Sequence, residues 1–486
     1  MQAGASIRNN TLWLFAGNIS QRILDLVFSI ILARLLLPAD FGLLVTTQIF
    51  TGVAGFIAGG GMGQALIQAK EITRKHFHVV FTLQLGICIA IYSSFFFSAP
   101  FIAAWFEQPI YSDLLRVSAL NFLIRPFVNI SMSKLKREMR FKSVSIISLL
   151  TLIVSSSTSV LLALNDYGVW SLIYGGLIGS LFSSLCFIFY SRCYPIFAFN
   201  SKIAKSLGAY GLKFSLNDII EYLRLQTPNF LLGKFMGTQT VGLFNKGYSL
   251  SEYPVRLIAG SAYQTVFRAL SSTQENLDQS KYIYLRTITL VCVYTFPFYI
   301  GLLWLAEPFV TTLYGEKWRL AAIPLQIFCI SQMLSCFGNA SGAVMAAQNM
   351  LGTEIKIQSV TFLLVALGCW YGIQQNDIAM VAWGMIPGSV FLYAGVAYCA
   401  CRRLKVTFLE FLKALAPASF LSILLAIALA LSQYGFTYYA IGLTPIGYML
   451  NLTAIGGMTY GLFFLFYPIA SLKTERDRWK RKLRIA

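Results

Sequence analysis

Between charged or Pro/Gly/Asn-rich breaks the chain holds about fourteen apolar runs, each close to the roughly 20 residues that a helix needs to cross a hydrocarbon core. They fall near 11–36, 41–69, 77–104, 111–133, 143–164, 168–191, 206–233, 240–268, 283–306, 321–347, 355–374, 378–401, 413–434 and 441–468. Of 486 residues 57% are hydrophobic and 12% charged, and the mean hydropathy is +0.67. A soluble chain of this length has no interior large enough to hide so much apolar surface, so the expected class is a multispanning membrane protein. The runs are too long and too little alternating to be barrel strands, which leaves an all-α fold.

The net charge of +19 is explained by where the cations sit. With both termini placed in the cytoplasm, one set of loops, with the tail from Lys473 to Arg484, collects 27 of the 38 Lys and Arg. The opposite loops hold Lys317 and Arg319, with Glu107, Asp166, Glu307, Glu316 and Asp377 clustered there. This positive-inside bias orients every helix at once and predicts a multi-pass membrane protein whose basic side faces anionic headgroups rather than nucleic acid. The first run carries Arg22, Asp25 and Arg34 and lacks an A-x-A pattern, which predicts a retained helix. Nine cysteines, mostly inside apolar runs, act as small hydrophobes, and no Cys/His spacing suggests a metal.

A signature recurs at an offset of 200. IILARLLLPADFGLL (30–44) and FLLGKFMGTQTVGLF (230–244) each end an apolar run on one cation and turn into Gly-Leu, at Gly42-Leu43 and Gly242-Leu243. Six runs separate the copies, an even number, so both have the same orientation. That is the mark of a parallel repeat about an axis along the membrane normal. The expected plan is two six-helix lobes, 1–200 and 201–405, two further helices over 406–470 and a basic cytoplasmic tail over 471–486.

Polar residues follow helical spacing inside four runs. The first holds Asn18, Arg22 and Asp25, and the seventh Asp218, Glu221 and Arg224. In the fourth run Asn121, Arg125 and Asn129 recur every four residues on one face. In the eighth, Asn245, Ser249, Glu252 and Arg256 form another stripe, and Pro254 invites a kink there. A charge at mid-bilayer costs about 2.5–3.5 kcal/mol on insertion scales, so it faces a partner or a hydrated cavity. Local pairs Arg22–Asp25, Glu221–Arg224 and Glu252–Arg256 would neutralise some of this charge. Arg125 has no acid within a helical turn, so its expected partner is an anion from outside the protein, and a planar guanidinium suits phosphate. Arg22, Arg125, Lys246, Arg256, Arg224 and Arg116 are the candidate substrate-binding cations of a shared cavity. Asn18, Asn121, Asn129 and Asn245 are its candidate polar lining.

No P-loop, GxSxG, HExxH or metal-ligand cluster occurs, so no enzyme chemistry and no cofactor are expected. Transport would draw on an ion gradient or on the gradient of the substrate itself. Asp25, Asp218, Glu221 and Glu252 are the candidate coupling sites.

ARLLLPADFGLL (33–44), GMGQALIQAKEIT (61–73), KLKREMRFK (134–142), LYGEKWRLAAIPLQ (313–326) and GNASGAVMAAQ (338–348) together resemble the Wzx-type polysaccharide exporters. These belong to the multidrug/oligosaccharidyl-lipid/polysaccharide (MOP) exporter superfamily, and the likeness is greatest to the colanic-acid and teichuronic-acid branch. The resemblance implies a flippase moving an undecaprenyl-pyrophosphate-linked oligosaccharide outward by alternating access, for surface polysaccharide synthesis. It also implies polymerase or chain-length partners in the same membrane. The rivals are a cation-coupled multidrug exporter or a lipid II flippase of the same superfamily, and a membrane-embedded polymerase or ligase. The first would carry a cavity dominated by acids, and the last a large periplasmic loop.

Overall fold

A computed structural model describes the backbone of residues 2–59, 61–68, 72–194, 196–273, 276–438 and 444–484. Within the helices, side chains are not described at 2–16, 18, 64–65, 68, 202–218, 259–265, 351 and 438. Among the described residues the secondary structure is helical throughout, with no strand.

The chain divides into two compact units, Met1–Gly242 and Leu243–Ala486. The first contains α1 (Gln2–Leu35), α2 (Pro38–Gly59), α3 (Met62–Gln68), α4 (Arg74–Phe106), α5 (Ile110–Arg137), α6 (Phe141–Leu164), α7 (Val169–Ser191), α8 (Ser201–Phe235) and the opening turn of α9 (Thr238–Ser272). The second contains the rest of α9, then α10 (Leu277–Tyr314), a 3-10 turn over Glu316–Ala321, α11 (Ala322–Ala347), α12 (Leu351–Gln374), α13 (Ile378–Arg403), α14 (Phe408–Tyr438) and α15 (Pro445–Phe466). A second 3-10 turn, Ala470–Leu472, leads into α16 (Lys473–Leu483).

Ten helices among the described residues are long and apolar enough to cross a membrane, and the chain is a multi-pass membrane protein. The sequence reading expects about fourteen spans. The long helices outside these ten are α1, α5, α8 and α9, of 28 to 35 residues; of them α5, described throughout, is the least apolar of the long helices.

Local sequence sets the helix ends. Pro38 opens α2, where its missing N–H leaves no helical bond unmade, and the Asp40 carboxylate accepts from Leu37 N–H at 2.9 Å. At the opposite end of the first unit, basic residues cap the last carbonyls. Lys134 donates to Ser191 O at 2.7 Å, Arg140 to Tyr190 O at 3.0 Å and Arg137 to Leu66 O at 2.9 Å. Cations at helix C-termini also offset the helix dipole, so the KLKREMRFK segment stabilises the fold as well as marking orientation.

In the first unit α4 packs on α5, α6 on α7, α5 against α7, α1 against α6, and α2 between α5 and α8. In the second, α10 packs on α11, α12 on α13 and α11 against α13, with α14 and α15 laid on α10. Without a hydrophobic drive between helices in lipid, close approach depends on small residues. Gly368 and Gly384 do this for α12 and α13: a Cβ on Gly368 would stand 1.9 Å from Gly384 O. Leu305, Leu425, Leu429 and Leu452 bind α14 and α15 to α10 in a buried cluster.

Candidate functional site

A cavity of about 690 Å³ lies inside the first unit, walled by α2, α5, α6, α7 and α8. Asn121, Arg125 and Asn129 of α5 all line it, as residues four apart on one helical face should. Thr47, Gln48 and Thr51 come from α2, Thr151 from α6, Ser180 and Ser183 from α7, and Tyr222 and Gln226 from α8. Arg125 is the only charged side chain among the described lining residues.

The guanidinium of Arg125 lies along α2, where two glycines one turn apart leave it room. A Cβ on Gly55 would stand 2.8 Å from Nη1, and one on Gly59 3.6 Å from Nη2. Among the described residues Arg125 makes no ion pair. Behind it the fully buried Gln84 of α4 donates from Nε2 to Gly59 O at 3.1 Å, fixing the edge of that glycine shelf.

Tyr222 forms the α8 wall. Its hydroxyl donates to Gln48 O at 2.6 Å, and its ring meets Phe56 edge-on at 5.4 Å. Gly52 permits this approach, because a Cβ there would stand 1.9 Å from the Tyr222 oxygen. The Thr47 and Thr51 hydroxyls donate to their own helix, to Leu43 O at 2.8 Å and Thr47 O at 3.1 Å, so their oxygens face the cavity as acceptors. The Thr151 hydroxyl is buried with no partner among the described residues. One cation among hydroxyls and amides suits a ligand rich in hydroxyls that bears negative charge, since guanidinium–oxyanion bonds are the strong, orienting ones.

The other predicted cations lie elsewhere. Arg116 sits nine residues before Arg125, half a turn round the helix, so it points away from the cavity. Its Nε donates to Phe96 O at 3.1 Å, and the guanidinium lies 4.6 Å from the Phe96 ring. In the second unit Lys246 is 7% exposed, its ammonium 4.5 Å from the Tyr314 ring and 5.6 Å from Trp318. Arg256 pairs with Glu252 at 2.5 Å, which neutralises both locally. Asn245, next to Lys246, is half-buried. Arg22 and Asp25 are exposed on α1 and unpaired with each other, and Glu221 is exposed on α8. Arg224 is half-buried, and its Nε has no hydrogen-bond partner among the described residues. Asn18 and Asp218 lie outside the described side chains. No His/Cys/Asp/Glu group able to hold a metal occurs among the described residues.

Sequence reasoning missed most of the neutral lining: Thr47, Gln48, Thr51, Ser118, Thr151, Ser180, Ser183 and Gln226. Only a polar stripe on otherwise apolar helices marks them, at Thr47–Gln48–Thr51 on α2 most plainly.

This fold is shared with a solved multidrug resistance MATE family transporter of the MOP superfamily, at a TM-score of 0.62 over 80% of this chain and 96% of that one and 15% identity. It matches the lipid II flippase MurJ in an inward closed conformation with a TM-score of 0.75, over 96% of this chain and 99% of that one, at 17% identity. Residues 31–323 match the family described as polysaccharide biosynthesis protein, and the chain belongs to that family. Among curated relatives it is similar to the lipopolysaccharide biosynthesis protein WzxC of Escherichia coli strain K12, 23% identical over 346 residues, 70% of each chain. It is likewise similar to the teichuronic acid biosynthesis protein TuaB of Bacillus subtilis strain 168, 23% identical over 339 residues, 68% of this chain and 69% of the other. The chain therefore belongs to a polysaccharide biosynthesis family and has the fold of the lipid II flippase MurJ.

Proposed function

We propose that the protein flips an undecaprenyl-pyrophosphate-linked oligosaccharide repeat unit across the bacterial inner membrane by alternating access, supplying surface polysaccharide synthesis. The observation that carries this reading is Arg125, flanked by Asn121 and Asn129 in a cavity whose described lining holds no acid. A cationic drug would find no carboxylate there, whereas a phosphate-bearing glycan finds one guanidinium and a wall of hydroxyls and amides. Membership of the polysaccharide biosynthesis family supports the same substrate class.

In this reading all fourteen long helices span, arranged as lobes 1–200 and 201–405 plus two further helices, with both termini cytoplasmic. The distribution of Lys and Arg supports that orientation. The polyprenyl tail stays in lipid while the head passes through the protein. Polymerase and chain-length proteins of the same membrane would take up the product. Asp25, Asp218 and Glu221 are the coupling-site candidates, and Glu252 is a weaker one because Arg256 already neutralises it.

The test is the lipid extract of a strain lacking the protein, compared with one carrying Arg125→Ala. Both should accumulate the same lipid-linked oligosaccharide on the cytoplasmic side, while the variant protein inserts at normal levels. Normal surface polysaccharide in the Arg125→Ala strain would reject the role given to Arg125. A deletion strain with no trapped lipid-linked intermediate would reject the substrate.

A further inference from the structure

Helix α16 sorts its charges. Residues 473–484 hold seven cations and two acids, Glu475 and Asp477. Each acid lies beside a cation: Glu475 is 3.9 Å from Arg286 of α10 and 4.0 Å from Arg478, and Asp477 is 3.6 Å from Arg476. What remains outward is cationic, with Lys473, Arg478, Arg481 and Lys482 exposed.

The helix is held at a fixed depth. Trp479 Nε1 donates to the Tyr294 hydroxyl of α10 at 2.8 Å, Arg476 donates to Tyr467 O at 3.2 Å, and Arg286 donates to Ser471 O. These contacts seat α16 beside the last turn of α15, an apolar membrane-crossing helix that ends at Phe466. Rings and cations alternate there: Lys480 lies 5.2 Å from the Phe466 ring and Lys482 5.3 Å from Trp479. Phe466, Trp479 and Leu483 remain 56%, 37% and 50% exposed. A nucleic acid or an acidic protein would explain the cations but not exposed Phe, Trp and Leu at the end of a membrane span. An interface, with hydrocarbon below and phosphates above, explains both.

We propose that α16 is a membrane-surface helix whose outward cations Arg478, Arg481 and Lys482 bind the headgroup phosphates of anionic phospholipids where α15 leaves the bilayer. Each cation near an anionic surface strengthens association by about fivefold, and the effect weakens with salt. The inference is independent of the transported substrate.

Native mass spectrometry of the full chain, released from membranes containing phosphatidylcholine and phosphatidylglycerol, tests it. Wild type should retain phosphatidylglycerol severalfold over phosphatidylcholine. The triple variant Arg478→Glu, Arg481→Glu, Lys482→Glu should lose that preference, and the charge-conserving Arg478→Lys, Arg481→Lys variant should keep it. The last variant separates loss of charge from loss of the helix. Equal phosphatidylglycerol retention in wild type and the triple variant overturns the proposal. So does a wild-type chain whose bound phosphatidylglycerol is displaced by a single-stranded RNA oligonucleotide at low micromolar-scale competition while phosphatidylcholine is not.

Discussion

Gly42 and Gly242 lie against one another. A Cβ on Gly42 would stand 1.7 Å from Thr238 O, and one on Gly242 would stand 1.9 Å from Pro38 O and 3.2 Å from Gly42 N. The two Gly-Leu signatures, 200 residues apart in sequence, therefore mark one place in the fold, where the first turns of α2 and α9 touch backbone to backbone. Each glycine is required by the other copy of the repeat, which gives the duplicated signature a steric cause. Backbone atoms, unlike side-chain ends, have no way to step aside.

Gly42→Val should therefore be costly. Overpacking typically costs about 1–3 kcal/mol, and here the clash is with backbone. The melting temperature of the purified protein should fall, with Gly242→Val matching it. Gly86→Ala in α4 is the control, since a Cβ there meets nothing within 4 Å, and it should be neutral or gain about 0.5–1 kcal/mol. If Gly42→Val melts like wild type, the contact is not tight.

Gly55→Ala tests the shelf under Arg125. The added Cβ at 2.8 Å from Nη1 meets a flexible side-chain end, so the helix is expected to tolerate it while the guanidinium shifts. A charge-assisted hydrogen bond is worth about 1.5–3 kcal/mol, so displacing it should slow polymer export by about tenfold or more without lowering protein abundance. Tyr222→Phe should act more mildly, at about 0.5–1.5 kcal/mol, because it removes only the bond to Gln48 O and keeps the ring on Phe56. Unchanged export in Gly55→Ala would show that the guanidinium position is not critical.

Lys234 donates to Glu107 at 2.9 Å and to Trp105 O at 2.5 Å, tying the end of α8 to the end of α4. The hydrogen bond from Lys234, and then its charge, hold the Glu107 carboxyl below its usual value of 4.5. A depressed carboxylate pKa stabilises the folded state above the unfolded value, and that contribution disappears as pH falls through the lowered one. The melting-temperature gap between wild type and Glu107→Gln should thus be present at neutral pH, close in acid below the usual carboxylate range, and narrow with salt because Glu107 is exposed. A gap that persists in acid would mean the pair contributes nothing through charge.

Helical period made part of the site legible. Asn121, Arg125 and Asn129 share a face whatever surrounds them, and the structure lines the cavity with all three. The same arithmetic turns Arg116 to the opposite side, where it meets Phe96 O. Lys246 was not legible in this way, because its surroundings come from Tyr314 and Trp318, some seventy residues on. The sequence marks YGEKW as a family motif without saying that its tryptophan covers a cation. The neutral wall from Thr47 to Gln226 escaped because hydroxyls and amides leave little trace in hydropathy, and only the fold gathers them from five helices.

Lys246 gives the final prediction, because burial separates a structural cation from a substrate contact. Its ammonium faces Tyr314 at 4.5 Å, and Trp318 beyond it is fully buried. A desolvated cation–π contact is worth about 2 kcal/mol or more, and truncating a buried Trp costs about 3–5 kcal/mol. Trp318→Ala should therefore lower the melting temperature sharply. Lys246→Ala should also lower it, and the double variant should lose less than the two single losses combined, by about 0.5–3 kcal/mol of coupling. Arg125→Ala, whose side chain faces a cavity, should cost export and leave the melting temperature nearly unchanged. Export abolished by Lys246→Ala with the melting temperature unchanged would return Lys246 to the substrate path.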